Sequence, residues 1–198
     1  MVDIKKEELE NLVKIKGEVR GVVFQTDAKY VLAKEGEEGL KKLEEKIRDL
    51  GYKIDYRNTK AMDWYPLGLR VISLLVIQSV FDWSTSEIRE MGKTAPKSSF
   101  VVKFLFKLFA PLSKLVKELP RYWKEHYTAG KMEVVDFDEE NKKFALLLKD
   151  FEVHPIFCLY LEGYIERTLC FSVPEVVTKE TKCISKGDPY HEYTSTWK

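Results

Sequence analysis

The sequence predicts an α+β fold in which a helical N-terminal layer packs on a small antiparallel sheet. The first supporting observation is a change of hydrophobic period: apolar residues recur at helical spacing up to about residue 129 and alternate with a period of two from residue 130. The second is the order of the last third, which indicates a hairpin, a helix and another hairpin. That order places four antiparallel strands in one sheet with the helix on one face.

Sequence patterns typical of helix starts and ends divide the first two-thirds of the chain into several helices. The segment 63–82 is apolar on nearly all sides, with Pro66 in its first turn, so we expect it to be the central buried helix. Ser84 or Thr85, followed by Glu87, supplies partial capping-box chemistry for the next helix. The predicted elements of this part are a short strand over 18–25 and helices over 27–35, 38–50, 63–82 and from 84 or 85 to about 92.

The stretch 98–127 combines aromatic residues with positive charge. Between Lys93 and Lys124 the chain has eight basic residues and one acidic residue, Glu118. A basic amphipathic helix of this kind can lie on an anionic membrane surface. The alternative is a pair of core-packing helices with solvated lysines, which the acidic stretch 133–140 favours because it balances the charge within the fold.

Length and composition bound the class of protein. The chain of 198 residues suits a single domain over 1–198, with a helical part over about 1–129 and the hairpin–helix–hairpin part over about 130–198. Its 44% hydrophobic residues are enough to fill a core, and its net charge of +1 gives no argument for nucleic acid binding. An odd cysteine count and the lack of an apolar N-terminal signal predict a reducing, cytoplasmic location. The apolar stretch 67–81 is too short to span a bilayer.

Four potential metal ligands lie in the last quarter: Cys158 in the final helix, and Glu180, Cys183 and His191 in the terminal hairpin. Thiolate, imidazole and carboxylate are ligand types that Zn²⁺ takes. A three-residue turn over 186–188 would make Cys183 face His191, with Cβ atoms roughly 4.5–5.5 Å apart. Glu180 is an odd number of residues from Cys183, so it joins them only if the strand has a bulge. The alternative is that the cysteines are small buried hydrophobes.

The pattern of Cys158 followed by E-x-x-C-x₇-H resembles the 4-vinyl reductase domain, the sensory module of phenol-responsive transcription activators. There, four corresponding residues hold a structural zinc, with Cys as the last ligand where this chain has His191. W-Y-P at Trp64, W-x-x-x-Y at Trp123 and K-G-D-P-Y-H are also similar to an uncharacterised bacterial family first described in myxobacteria. The same superfamily contains heme–nitric-oxide/oxygen-binding domains and small subunits of vesicle-tethering complexes.

The resemblance implies an apolar pocket between the helical layer and the sheet. It implies a non-enzymatic ligand-binding or regulatory module, a homodimer that binds a small apolar, aromatic or acyl ligand and signals through a partner that the sequence does not name. Aromatic residues suit such a pocket, although core packing is the favoured interpretation of any single one. The candidate pocket residues are Trp64, Tyr65, Phe104, Phe109, Trp123, Tyr127 and Tyr164.

Three alternatives remain open at this point. A heme-based gas sensor would need a proximal His, for which His126 is a candidate, and the Y-x-S-x-R motif of those domains, which is absent, so we expect no heme. An interaction scaffold would have a packed core or an acyl chain in place of an open cavity. An enzyme has the least support, because the chain has neither a nucleotide fingerprint nor an obvious nucleophile arrangement.

Overall fold

The computed structural model describes residue 4 and residues 6–98 and 111–198. These residues form helices and antiparallel strands, as the sequence predicts. The helices are α1 (Lys6–Val13), α2 (Val22–Asp49), α3 (Leu67–Phe81), α4 (Thr85–Ser98), α5 (Leu112–His126) and α6 (Pro155–Leu169). The strands are β1 (Glu18–Arg20), β2 (Trp64–Pro66), β3 (Lys131–Asp138), β4 (Lys143–Lys149), β5 (Val177–Lys182) and β6 (His191–Thr196), with a 3₁₀ turn, Ile184–Lys186, between the last two.

The C-terminal strands form one antiparallel sheet in the order β3-β4-β6-β5. The predicted hairpin–helix–hairpin arrangement is therefore confirmed, with α6 as the intervening helix. Its N-cap residue is His154, whose Nδ1 accepts a hydrogen bond from the backbone N–H of Ile156 at 3.1 Å. Pro155 follows at the first helical position, where a missing N–H leaves no hydrogen bond unmade.

A second, two-stranded ribbon pairs β1 with β2 and was not predicted. The helix expected from residue 63 begins only at Leu67, because the residues before Pro66 are extended and pair with β1. The predicted strand over 18–25 is wrong beyond residue 20, where the chain turns into α2. The ribbon also contacts the end of α5 through a bridge between Val19 and Tyr127.

The helices predicted over 27–35 and 38–50 are parts of α2, which bends at Gly36. This residue has φ of 71° and ψ of −171°, a conformation that only glycine adopts at no steric cost. The next helix has the expected capping box: the Ser84 N–H donates to the Glu87 carboxylate at 2.8 Å, and the Glu87 N–H donates to the Ser84 hydroxyl at 3.4 Å. That helix, α4, continues past the predicted end to Ser98.

Helix α3 lies in the core, and most of its residues are buried, which confirms the prediction of a central buried helix. None of the helices in the described ranges has the length and apolarity needed to cross a membrane. The first half of the basic stretch lies outside the described residues. Its second half forms α5, which buries Leu115, Val116, Leu119 and Trp123 on one face.

Helices α4 and α6 cross at two glycines. A Cβ atom on Gly163 would overlap the carbonyl oxygen of Arg89, and one on Gly92 would overlap that of Tyr160. Because each obstacle is backbone on the opposite helix, neither can move aside without separating the helices. The close approach expected at Gly163 is therefore an approach to α4.

Replacing Gly163 with Ala tests this crossing. Alanine gains about 1 kcal/mol in helix propensity, but overpacking against backbone costs about 3 kcal/mol. We expect a net loss of about 2 kcal/mol in the free energy of unfolding, measured by urea denaturation. The matched control is Glu90→Ala on α4, whose side chain is 58% exposed. A stability of Gly163→Ala within the range of that control would contradict the assigned role.

A candidate metal centre beside an apolar cavity

The structure brings together the four ligand candidates of the last quarter. One donor atom from each of Cys158, Glu180, Cys183 and His191 lies within 4.8 Å of all the others. Helix α6 supplies the first, strand β5 the second, the following turn the third and strand β6 the fourth. Both cysteines and the histidine are buried, and the glutamate side chain is 12% exposed. We call these residues the four-donor cluster.

A bulge in β5 brings Glu180 into this cluster. Glu180 pairs with Tyr193 and Lys182 pairs with Glu192, so two residues of β5 advance while β6 advances one. The bulge that Glu180 required is thus present. Without it, the carboxylate would lie on the opposite face of the sheet from Cys183.

The predicted three-residue turn is wrong. Strand β5 ends before Cys183, which caps the 3₁₀ turn, and β6 resumes only at His191. Local hydrogen bonds fix this longer loop: the Cys183 N–H donates to the Asp188 carboxylate at 2.8 Å, and the Cys183 carbonyl accepts from the Lys186 N–H at 2.9 Å. Gly187, with φ of 95°, completes the turn. The hydrogen bond between the Asp188 side chain and the Cys183 backbone therefore replaces strand pairing at this position.

The hydrogen bonds of His191 define which ring nitrogen faces the cluster. Nε2 lies 2.9 Å from the carbonyl oxygen of Phe151. A carbonyl oxygen only accepts, so Nε2 carries a hydrogen and Nδ1 is left to face the cluster. Nδ1 lies 3.0 Å from the carboxylate of Glu180 and 3.6 Å from Sγ of Cys158. A neutral imidazole nitrogen and a carboxylate are both acceptors, so a proton or a metal ion must lie between them.

Burial and hydrogen bonds shift the pKa values of Cys158 and Glu180. Burial raises the pKa of the Cys158 thiol far above its usual range, so without a cation this sulfur stays protonated at neutral pH. Burial also acts to raise the pKa of Glu180, but its hydrogen bonds with His191 and Cys158 outweigh burial and lower it. Two sulfurs, one imidazole nitrogen and one carboxylate oxygen are a donor set that suits tetrahedral Zn²⁺. Metal binding would release the thiol protons.

An apolar cavity of about 90 Å³ lies between α6 and the neighbouring helices and strands. It is lined by the N-terminal end of α2, the C-terminal end of α5, much of α6 and single residues of α4, β3 and β4. Three of the predicted pocket residues line it: Trp123, Tyr127 and Tyr164. Its other aromatic and polar lining residues are Thr26, Tyr122, His126, Phe157, Tyr160 and Thr168.

Trp123 is held firmly in the cavity wall. Its ring stacks on Tyr127 with centroids 4.2 Å apart, and its edge meets Phe151 with centroids 5.0 Å apart. Its indole N–H donates to the carbonyl of Ala129 at 2.9 Å, so the polar atom of this buried ring is satisfied. This part of the wall is therefore held by contacts within the protein.

Two other predicted pocket residues lie elsewhere, which corrects the prediction. Trp64 is in β2 under the guanidinium of Arg20, 3.7 Å from the ring centroid, and Tyr65 packs edge-on against Phe24. Both belong to the ribbon of β1 and β2, and neither lines the cavity. Phe104 and Phe109 lie outside the described residues.

In this conformation the cavity is smaller than a pocket for a ligand of drug size. Ligand pockets for molecules of drug size are about 300–1,000 Å³, and this cavity is about 90 Å³. The described residues that line it include His126 but no Arg or Lys to pair with heme carboxylates. His126 Nδ1 lies 2.9 Å from the carbonyl of Tyr122 within its own helix.

A buried ion pair that was not predicted from the sequence lies next to the cavity. Arg70 of α3 donates a hydrogen bond to the carboxylate of Asp27 in α2, and both side chains are fully buried. A charged residue inside the apolar run 67–81 was the available signal. Such a residue is rarely buried unless it is paired.

Comparison with solved structures identifies the fold. The structure superposes on an H-NOX protein from S. oneidensis in the Fe(II)NO state with a TM-score of 0.68 and 14% identity, covering 90% of this chain and 99% of that one. An oxygen-binding H-NOX domain related to soluble guanylate cyclases gives 0.63 and 14%, covering 90% and 95%. An unliganded Fe(II) H-NOX mutant from K. algicida gives 0.64 and 12%, covering 90% and 96%.

The chain has the H-NOX fold. No protein-family model and no curated protein sequence matches it. The likeness to the 4-vinyl reductase domain and to the myxobacterial family therefore depends on the motifs quoted above, within a fold that the structure comparison supports.

Proposed function

We propose that this protein is a non-enzymatic sensory or regulatory module that binds a small apolar ligand and is held together by a structural zinc ion. The observation that carries the ligand-binding part is the cavity lined by Trp123. An interaction scaffold would be expected to fill this space with its own side chains. An apolar space with a few polar groups on its wall is instead typical of a ligand site.

The four-donor cluster supports the zinc part of the proposal. Its residues match, one by one, the pattern quoted for 4-vinyl reductase domains, with His191 in place of the last cysteine. The hydrogen bond from His191 Nε2 to a backbone carbonyl is the outer contact that metal-bound histidines usually make. A site with four protein ligands has no open position for a substrate, so the ion would be structural.

Neighbouring residues connect the two sites, so zinc would support the cavity. Cys158 of the four-donor cluster directly follows Phe157, which lines the cavity. Phe151 accepts the hydrogen bond from His191 through its backbone, while its ring packs against Trp123 and Phe157. Fixing the cluster therefore fixes the wall of the cavity.

The size of the cavity restricts the ligand. An apolar cavity of about 150 Å³ accepts benzene or xenon, and the present one is about 90 Å³. A ring of five or six heavy atoms is near the upper limit without movement of the wall. Longer acyl chains would require the cavity to open.

The second candidate function is a heme-based gas sensor. It is favoured by the H-NOX fold, since the H-NOX neighbours include an Fe(II)NO complex and an oxygen complex, and by His126 on the cavity wall. The small cavity, and the lack of Arg or Lys among the described residues that line it, count against it. A homodimer and an unidentified signalling partner remain part of the proposal, on the resemblance alone.

Substitution of Cys183 with Ser tests the zinc site. We expect loss of bound zinc and a decrease of several kcal/mol in the free energy of unfolding, because metal binding is coupled to folding. The measurements are zinc content by elemental analysis and urea denaturation on the same sample. The matched control is Cys170→Ser, since this half-buried thiol lies outside the cluster. Full zinc content and unchanged stability in Cys183→Ser would refute the site.

Substitution of Ala95 with Leu tests the ligand site. Ala95 of α4 lines the cavity, so the larger side chain would occupy it. We expect xenon and cyclopentane to shift the methyl resonances of Leu146 and Ile165 in the wild type and to leave them unchanged in Ala95→Leu, with zinc retained. The control is Thr94→Leu, which adds similar bulk at the neighbouring position.

Two outcomes would count against this ligand site. If neither probe affects the wild-type methyl resonances, the cavity does not take apolar ligands and the scaffold is favoured. If the purified protein carries porphyrin, visible in its absorption spectrum, the heme sensor is favoured.

A further inference from the structure

The buried ion pair of Asp27 and Arg70 belongs to a polar cluster inside an otherwise apolar core. Of the two carboxylate oxygens of Asp27, Oδ2 makes the hydrogen bonds to the described residues. It accepts from Nη1 of Arg70 and, at 2.9 Å, from the hydroxyl of Ser73. The hydroxyls of Ser73 and Tyr56 lie 2.7 Å apart. Fully buried charges without solvent usually have all their polar atoms satisfied.

This pair does not satisfy that rule. Among the described residues, Oδ1 of Asp27 and both Nε and Nη2 of Arg70 are buried without a hydrogen-bond partner. Leaving a charged group's donors or acceptors unpaired in the interior is costly. One ion pair therefore presents an unused acceptor and unused donors.

The pair lies directly behind the cavity wall. The guanidinium of Arg70 sits over the ring of Tyr160, 4.5 Å from its centroid, and Tyr160 lines the cavity. Asp27 follows Thr26, another lining residue. Burial raises the pKa of the Tyr127 hydroxyl to about 12, and the nearby charge of Arg70 acts to lower it. The unused polar atoms are thus separated from the apolar space by aromatic side chains.

We propose that the Asp27–Arg70 pair is the polar end of the ligand site and binds a neutral group that both donates and accepts a hydrogen bond, an alcohol hydroxyl or a carboxamide. This inference rests on the proposed ligand-binding function. The group donates to Oδ1 of Asp27, accepts from Arg70 and reaches the pair past the edge of the Tyr160 ring. The hydrocarbon part of the ligand occupies the cavity.

Charge favours a neutral ligand over an ion. Asp27 already balances the one charge of Arg70 within this buried cluster. A carboxylate ligand would add a second negative charge beside Asp27, and an ammonium ligand a second positive charge beside Arg70. Either would have to be buried without a counter-charge, which is far costlier than burying a hydroxyl that makes both hydrogen bonds.

The test compares cyclopentanol with methylcyclopentane, which differ by a hydroxyl in place of a methyl group. A purely apolar cavity prefers the hydrocarbon, because the hydroxyl loses its water. We expect the wild type to bind cyclopentanol at least about tenfold more tightly, because its hydroxyl gains hydrogen bonds to charged groups. Dissociation constants come from titrating the methyl resonances of Leu146 and Ile165.

The double variant Asp27→Leu/Arg70→Met removes both charges together, which avoids leaving one of them buried alone. We expect it to bind methylcyclopentane more tightly than cyclopentanol and to keep its zinc. Independently of any variant, cyclopentanol should shift the Nε–H resonance of Arg70 in the wild type and methylcyclopentane should not.

The outcomes separate the two proposals. Binding of both compounds with a preference for the hydrocarbon, or no shift at the Arg70 resonance, would overturn the polar end while leaving the apolar ligand site intact. The same would follow if the double variant kept the preference for the alcohol. Binding of neither compound to the wild type would overturn the ligand site itself, and the polar end with it.

Discussion

The constraint on which the C-terminal third depends is the close approach of four metal-competent donors in one buried space. Two sulfurs, an imidazole nitrogen and a carboxylate oxygen lie within 4.8 Å of one another. Because Nε2 of His191 donates to the carbonyl of Phe151, Nδ1 is an acceptor, and it lies 3.0 Å from the carboxylate of Glu180, which is also an acceptor. Such a group is unfavourable without a cation or a proton, and a divalent ion satisfies all four donors at once.

Two phenylalanines connect the four-donor cluster to the cavity. Phe157 precedes Cys158 on α6, and Phe151 joins His191 to Trp123. Both aromatic rings therefore depend on the geometry of the cluster. A ligand that shifted Phe157 would in turn displace Cys158, so the binding free energies of metal and ligand are expected to be coupled. By this route a small molecule could change the conformation of the β5–β6 hairpin, which carries three of the four donors.

Much of this arrangement could be predicted from sequence because it depends on local spacing. The change of period at residue 130 indicated the sheet, and the odd separation of Glu180 from Cys183 required the bulge that β5 contains. The turn was predicted wrongly, because the Asp188 carboxylate binds the Cys183 N–H and ends the strand early. Nothing in the local pattern of Trp64 and Tyr65 indicated pairing with a strand more than forty residues earlier.

The Asp27–Arg70 pair shows a further limit of sequence reasoning. Each residue belongs to a different helix, and the periodicity of α3 indicated only that position 70 would be buried. Which acid neutralises the arginine follows from how α2 packs on α3, a tertiary contact that no short motif encodes. Likewise, the H-NOX fold was expected from the superfamily resemblance, whereas the size of the cavity depended on side-chain packing.

X-ray absorption spectroscopy at the zinc edge tests the central claim most directly, on protein purified without added metal or chelator. We expect one zinc ion per chain with two sulfur ligands at about 2.3 Å and two nitrogen or oxygen ligands at about 2.0–2.2 Å. A cooperatively folded protein with no bound zinc, or zinc surrounded only by nitrogen and oxygen, would contradict it.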